Sequence, residues 1–408
     1  MPRSTSILAI IAMAAAPVYA GCGARTGLFG LDAGFASDAA RVDAGAPLDA
    51  AVPPSRCVVP ATSTAIVVDG SPGFVFSLTE LPSSEPGGGS YVLAAAHGWP
   101  PDERLALHVL DDGLVATTRV GEGAHWGAAR FDAAAGELVV SVGGGDESLA
   151  LERYSLGGGG LSRIATVDLC ARGCDPAWSG PALGPDARAV VSGDPSGRAT
   201  IAYILPRVGG APPVTVEGID LRLAEAVGFA DELVVVGRRE DGLAVAHVTW
   251  GGVVTRPARS IGVPLVSTRF GTARYRDRDV LVAAAVTGRG LVLLQLRDDV
   301  VVGDVTVDPE VAVPSGASIS VRGDLAAVAW GEQWGDGRVG AHLAVVDLRD
   351  GSLFMPPVVV SAETGRGSAS YTIWVAVAGH AEGFAVAWGA WEPTTFYGVY
   401  GKVVRCPG

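Results

Sequence analysis

Lysine is almost missing from this chain: Lys402 is the only one, asparagine does not occur, and arginine carries nearly all the positive charge. That skew marks a GC-rich coding sequence and is no functional clue, but it excludes a Walker A loop, which needs a lysine after its glycines. Positive charge is also outweighed, with a formal net charge of -13, so no basic footprint for a phosphate backbone exists and no nucleic-acid partner is expected. The acidity serves solubility. Long apolar runs are equally scarce. The one from Ile7 to Val18 has twelve residues, too few to span a bilayer, which takes ~20. No G-x-S-x-G elbow and no H-E-x-x-H helix occurs, and "GEGAHWG" near Gly121 has the wrong spacing for a dinucleotide fingerprint. No catalytic residue, metal or cofactor is therefore assigned, and the chain is read as a non-enzyme.

What is present is small and apolar. Gly 57, a hydrophobic share of 49% and a charged share of only 18% describe buried, small-residue strands rather than Glu/Lys-rich helices. A length of 408 residues fits two or three average domains or one large all-β unit.

The chain divides into three parts. Residues 1–21 read as a signal peptide, with Arg3 before the apolar run and small residues after it. Residues 22–56, rich in Ala, Asp, Gly and Pro, lack the aromatic and β-branched content to order themselves and read as a disordered tether. Treated as a flexible coil of ~5–6 Å × √n, it would hold the rest roughly 30 Å from an anchor. Ala20-Gly21-Cys22 resembles the lipobox of bacterial lipoproteins, although Tyr19 stands where Leu, Val or Ile is usual; ordinary cleavage after Val18-Tyr19-Ala20 is the alternative. "GCGARTGLFG" with the tract behind it resembles the start of envelope lipoproteins of GC-rich Gram-negative bacteria. The resemblance implies acylation of Cys22, anchoring to the membrane through lipid alone, and a place in the outer membrane or periplasm. Soluble secretion is the other outcome.

Residues 57–408 repeat. Apolar strands "SYVLAAAHG", "ELVVSVGGG", "ARAVVSGDP", "ELVVVGRRE", "DVLVAAAVTG", "DLAAVAWGE" and "GFAVAWGAW" recur with a mean period of about 49 residues, the range of propeller blades. Hairpins such as "LVLLQLRDDVVVGDVTV" follow, with turn residues at matching offsets, and a weaker strand such as "HWGAARF" or "STRFGTARY" precedes the next apolar one. Four antiparallel strands repeated seven times predict an all-β, seven-bladed β-propeller and a monomer. Paired β-sandwiches would show no constant period. The last unit stops one strand short and the first carries one too many. As in other propellers, the surplus strand should complete the last blade, with Ala65 to Asp69 pairing with Tyr397 to Arg405.

Beside Cys22 the chain has four cysteines, and an oxidising compartment implies pairing. Cys170 and Cys174 suit a local bridge, which leaves Cys57 to Cys406 across the seam. Zinc on Cys170 and Cys174 would lack a second ligand pair. "SGDPSGRATI" resembles the Asp-box of sialidase propellers, but its spacing is off and it lies on the wrong hairpin. His108, His247 and His342 fall at equivalent strand sites in different blades and should not cluster.

One feature exceeds background. The loops "HGWPPDER", "WGEQWGDGR" and "WGAWEPTTFY" carry Trp99, Trp334 and Trp391 beside Asp102, Glu332, Asp336 and Glu392 in the first, sixth and seventh units. Ring closure makes the seventh and first neighbours, so these residues are expected on one face. Tryptophan bodies beside acceptors suit a glycan, a peptide or a basic segment of an envelope protein. The plainer reading is that the tryptophans cap their own blades. A hydrolase or lyase using the acids of this face is the alternative function.

Overall fold

A computed structural model describes residues 56–407 apart from 68–72, 83–89, 98–103, 121–124, 145–146, 158–159, 172, 175–179, 195–197, 209, 267–269, 276–279, 312–313, 334–338, 362–373 and 393–395. The expected signal peptide, the tether and Cys22 lie outside the described residues. No helix occurs among the described residues, hence none long and apolar enough to cross a membrane.

Among the described residues, twenty-eight strands form seven four-stranded antiparallel sheets. Blade I is β2 (Gly73–Leu81), β3 (Ser90–His97), β4 (Arg104–Leu110) and β5 (Ala116–Val120). Blade II is β6 (Trp126–Asp132), β7 (Glu137–Gly143), β8 (Leu149–Gly157) and β9 (Gly160–Cys170). Blade III is β10 (Ala182–Leu183), β11 (Ala187–Gly193), β12 (Thr200–Pro206) and β13 (Val214–Ile219). Blade IV is β14 (Arg222–Gly228), β15 (Glu232–Arg239), β16 (Gly242–Thr249) and β17 (Val254–Val263). Blade V is β18 (Phe270–Tyr275), β19 (Val280–Thr287), β20 (Gly290–Arg297) and β21 (Val300–Asp308). Blade VI is β22 (Pro314–Arg322), β23 (Leu325–Gln333), β24 (Val339–Asp347) and β25 (Ser352–Val359). Blade VII is β26 (Val375–His380), β27 (Gly383–Glu392) and β28 (Phe396–Arg405), completed on its outer edge by β1 (Thr64–Val67).

The seven apolar repeats are β3, β7, β11, β15, β19, β23 and β27, the second strand of each blade. They read as continuous apolar runs because both faces are buried. In β23, Ala327 and Ala329 face blade VII while Ala326, Val328 and Trp330 face blade V. Seven hydrophobic clusters result, one at each junction between consecutive blades, including the junction of blades VII and I. An unbroken circle of cores is a closed seven-bladed β-propeller. Trp330 and Trp388 are fully buried in these junctions, as capping residues should be.

Small residues dominate because neighbouring inner strands approach closely. A Cβ on Gly228 of β14 would sit 2.0 Å from the Leu183 carbonyl oxygen of β10, and one on Gly271 of β18 would sit 2.7 Å from that of Ala317 in β22. Hydroxyls satisfy the inner edges: Ser77 accepts from the Ala129 amide at 2.8 Å, and Thr79 donates to the Ala129 carbonyl at 2.7 Å. Alternate residues of β2 thereby serve both backbone groups of one residue in β6. The inner strands β10 and β22 carry little apolar signal. β10 is two residues long because Pro181, Gly184 and Pro185 hem it in.

The ring closes as the strand count requires. Thr64 lies opposite Gly401, Ala65 opposite Tyr400 and Val67 opposite Val399, while Asp69 falls outside the described residues. Upstream, Val58 and Arg405 exchange both backbone hydrogen bonds, at 2.7 and 3.1 Å. The next opposed pair is Cys57 and Cys406, which is disulfide-bonded. Cys170 and Cys174 form the second bridge, across the chain leaving β9. Two disulfides fit a protein that works outside the cytoplasm.

Candidate binding face and inter-blade polar sites

The second strand of every blade ends, and the third begins, on one face of the ring. Blades IV and V close there with two-residue turns, Glu240–Asp241 and Gly288–Arg289. Blade VII does not. Counted from their paired starts, Gly383 opposite Arg405 and Val280 opposite Arg297, the β27–β28 ladder runs two residues further than β19–β20, roughly 7 Å. At its end Trp391 lies opposite Tyr397 and Glu392 opposite Phe396. Three aromatic residues and an acid thus occupy the last paired positions of this hairpin.

The expected patch residues Trp99, Asp102, Trp334 and Asp336 lie outside the described residues. Glu332 is placed differently from the patch residue expected of it. It is buried near the end of β23, with Oε2 3.4 Å from Nε2 of His342 on β24. The His342 ring stacks on Trp330, centroids 5.2 Å apart, and burial drives its pKa down to about 4, so the imidazole is neutral at pH 7. Asp308, the last residue of β21 in blade V, brings a third donor, and the three donor atoms lie within 4.8 Å of one another. This cluster escaped the sequence because its members come from two blades, and only the equivalence of His342 with other strand histidines was legible.

The opposite face carries ionic links between blades. His247 of β16 contacts Glu232 through Nδ1 at 2.7 Å and Asp299, in the β20–β21 turn of blade V, through Nε2 at 2.6 Å. Between blades II and III, Arg188 Nε meets Asp132 at 2.8 Å and its Nη2 meets Glu137 at 2.8 Å. Arg153 also pairs with Glu137 and Arg207 with Asp132. The hydrogen bond from Arg153, with Arg188 beside it, holds the Glu137 carboxyl below the usual range. His108, His247 and His342 are buried in three different blades and do not meet. Asp194, of the Asp-box-like stretch, accepts the amides of Arg198 and Ala199 at 2.8 and 3.1 Å, a turn-forming role.

Around the axis, Glu225 of β14 accepts a 2.7 Å hydrogen bond from the Thr272 hydroxyl of β18. Burial pushes its pKa up to about 7, partly offset by that bond and by Arg130 of β6. Burial in turn lowers the Arg130 pKa.

No protein family and no curated protein matches the sequence. Solved structures do. A chain of the mitotic checkpoint complex superposes with a TM-score of 0.51 at 9% identity, covering 88% of this chain and 97% of that one. The β-propeller domain of the Trilobed protease from Pyrococcus furiosus gives 0.46 at 10% identity, covering 81% and 95%. TolB from Acinetobacter baumannii gives 0.42 at 13% identity, covering 67% and 64%. At such identities the likeness shows the fold alone. Function has to be argued from the site.

Proposed function

We propose that this chain is an exported, lipid-anchored β-propeller that binds a glycan, peptide or envelope protein without catalysis, on the face bearing the blade VII hairpin. The observation carrying this reading is the β27–β28 hairpin itself, whose last paired positions are Trp391 with Tyr397 and Glu392 with Phe396. Aromatic residues beside acidic acceptors are frequent anchors of glycan and peptide recognition. Address and lipidation rest on the N-terminal segment, with Cys22 the acylated residue. The hydrolase alternative draws no support from the described residues, because Glu332 is turned toward His342 and Asp308 in a blade junction.

Glycan arrays and envelope-peptide arrays probed with wild type and Trp391→Ala test the binding reading. Retained signal in the variant would refute this patch; a loss confined to the variant supports it. Fatty-acid analogue labelling of wild type and Cys22→Ser tests the anchor, with label expected only on wild type.

A further inference from the structure

We infer that Asp308, Glu332 and His342 form a divalent-metal site, with Zn2+ the best-fitting ion, that ties blade V to blade VI. The donor set is one imidazole nitrogen and two carboxylates, ligands that Zn2+ takes at ~2.0–2.2 Å. A tetrahedron with bonds of ~2.1 Å has an edge of about 3.4 Å. The Glu332 Oε2 to His342 Nε2 separation is 3.4 Å, so these two donors already span one edge. The third needs only a small turn of Asp308, whose side chain is half-buried at a strand end and whose donor lies within 4.8 Å of the others.

The His342 and Asp308 donors are held from behind. Trp330 stacks on the His342 ring and fixes its plane. The Glu310 amide donates to Asp308 Oδ1 at 3.0 Å and orients that carboxylate. Gly290 admits the Asp308 backbone: its φ is +94°, and a Cβ there would stand 2.1 Å from the Asp308 carbonyl oxygen. Such supporting contacts are what keep metal ligands aimed in working sites. Glu332 and His342 are each 6% exposed, so the first two ligands are largely shielded from bulk water. Two carboxylates and a neutral imidazole sum to a charge that a divalent cation balances. Three protein ligands leave a fourth position on Zn2+ for water or a ligand group. The site lies on the same face as the blade VII hairpin, and it stands or falls independently of that face binding a partner.

The test is calorimetric titration of tag-free, chelator-treated protein with ZnCl2 alone, paired with metal analysis after dialysis. Wild type should take up about one equivalent, and His342→Ala and Glu332→Gln should each lose affinity by about tenfold or more. Asp308→Asn, at a half-buried strand end, should fold normally and bind more weakly. His247→Ala, at the carboxylate-flanked histidine of the other face, should bind as wild type does. A wild type that takes up no zinc, or an Asp308→Asn and His342→Ala pair that bind like wild type, would overturn the assignment.

Discussion

Cys57 and Cys406, 349 positions apart in the chain, stand with their Cα atoms 4.2 Å apart as the opposed pair next to Val58 and Arg405. Because Val58 and Arg405 exchange both backbone hydrogen bonds, the neighbouring pair falls in the non-hydrogen-bonded register, where antiparallel Cα atoms come within ~4.5 Å. The sulfur bridge thus occupies the place of a hairpin turn that the chain does not have. It pins the only blade built from both ends of the sequence.

Cys406→Ser should therefore destabilise the propeller more than most single changes. Cross-linking across so long a loop is worth up to ~5 kcal/mol in the chain-entropy model. Denaturant melts should show the same loss for Cys57→Ser, Cys406→Ser and the double variant, because each breaks one bond. Reduction of wild type should reproduce it.

Arg188 is 1% exposed between Asp132, also 1% exposed, and Glu137. Removing it leaves Arg207 as the one charged partner of Asp132, and one-sided loss of a buried ion pair costs about 3–5 kcal/mol. Arg188→Met should destabilise on that scale by urea melting. Adding Asp132→Leu should recover part of the loss, because the buried carboxylate that has lost its closest cation goes with it.

Glu225 sets a pH dependence of definite sign. Its folded-state pKa of about 7 lies above the ordinary 4.5, so between those values the folded protein keeps a proton that the unfolded chain has released. Stability from this site is thus full below pH 4.5, declines as pH rises to 7, and stays at its lower level above. Glu225→Gln still accepts from Thr272 but cannot ionise. Its stability relative to wild type should rise between pH 5 and pH 8, by on the order of 1–3 kcal/mol, in urea melts at the two pH values. A difference that does not change with pH would show that the axial carboxyl titrates normally.

The blade count was legible because each second strand is buried on both faces, and continuous apolar runs stand out against a Gly- and Asp-rich background. The closing strand was legible for a simpler reason: strands can be counted, and "STAIVVDG" was one too many. Of the inner strands, β6 and β18 were legible but β10 and β22 were not, since near the axis packing rests on glycine contacts and hydroxyl bridges rather than on apolar side chains. Arg188, Glu225 and the Asp308–Glu332–His342 cluster were invisible for a common reason. Each draws partners from a neighbouring blade, and a single sequence records the repeat but not which side chains meet across it. Glu332 illustrates the consequence. Its loop position suggested an exposed acceptor, whereas the end of β23 turns it into the junction with blade V.

The ring closed by its own N-terminal strand makes blades VII and I neighbours, a juxtaposition on which the proposed binding face depends. Non-reducing peptide mapping of the mature protein tests it most directly. A peptide containing Cys57 linked to one containing Cys406, with Cys170 joined to Cys174, is the expected result. Cys57 found linked to Cys170 or Cys174 would contradict the closure.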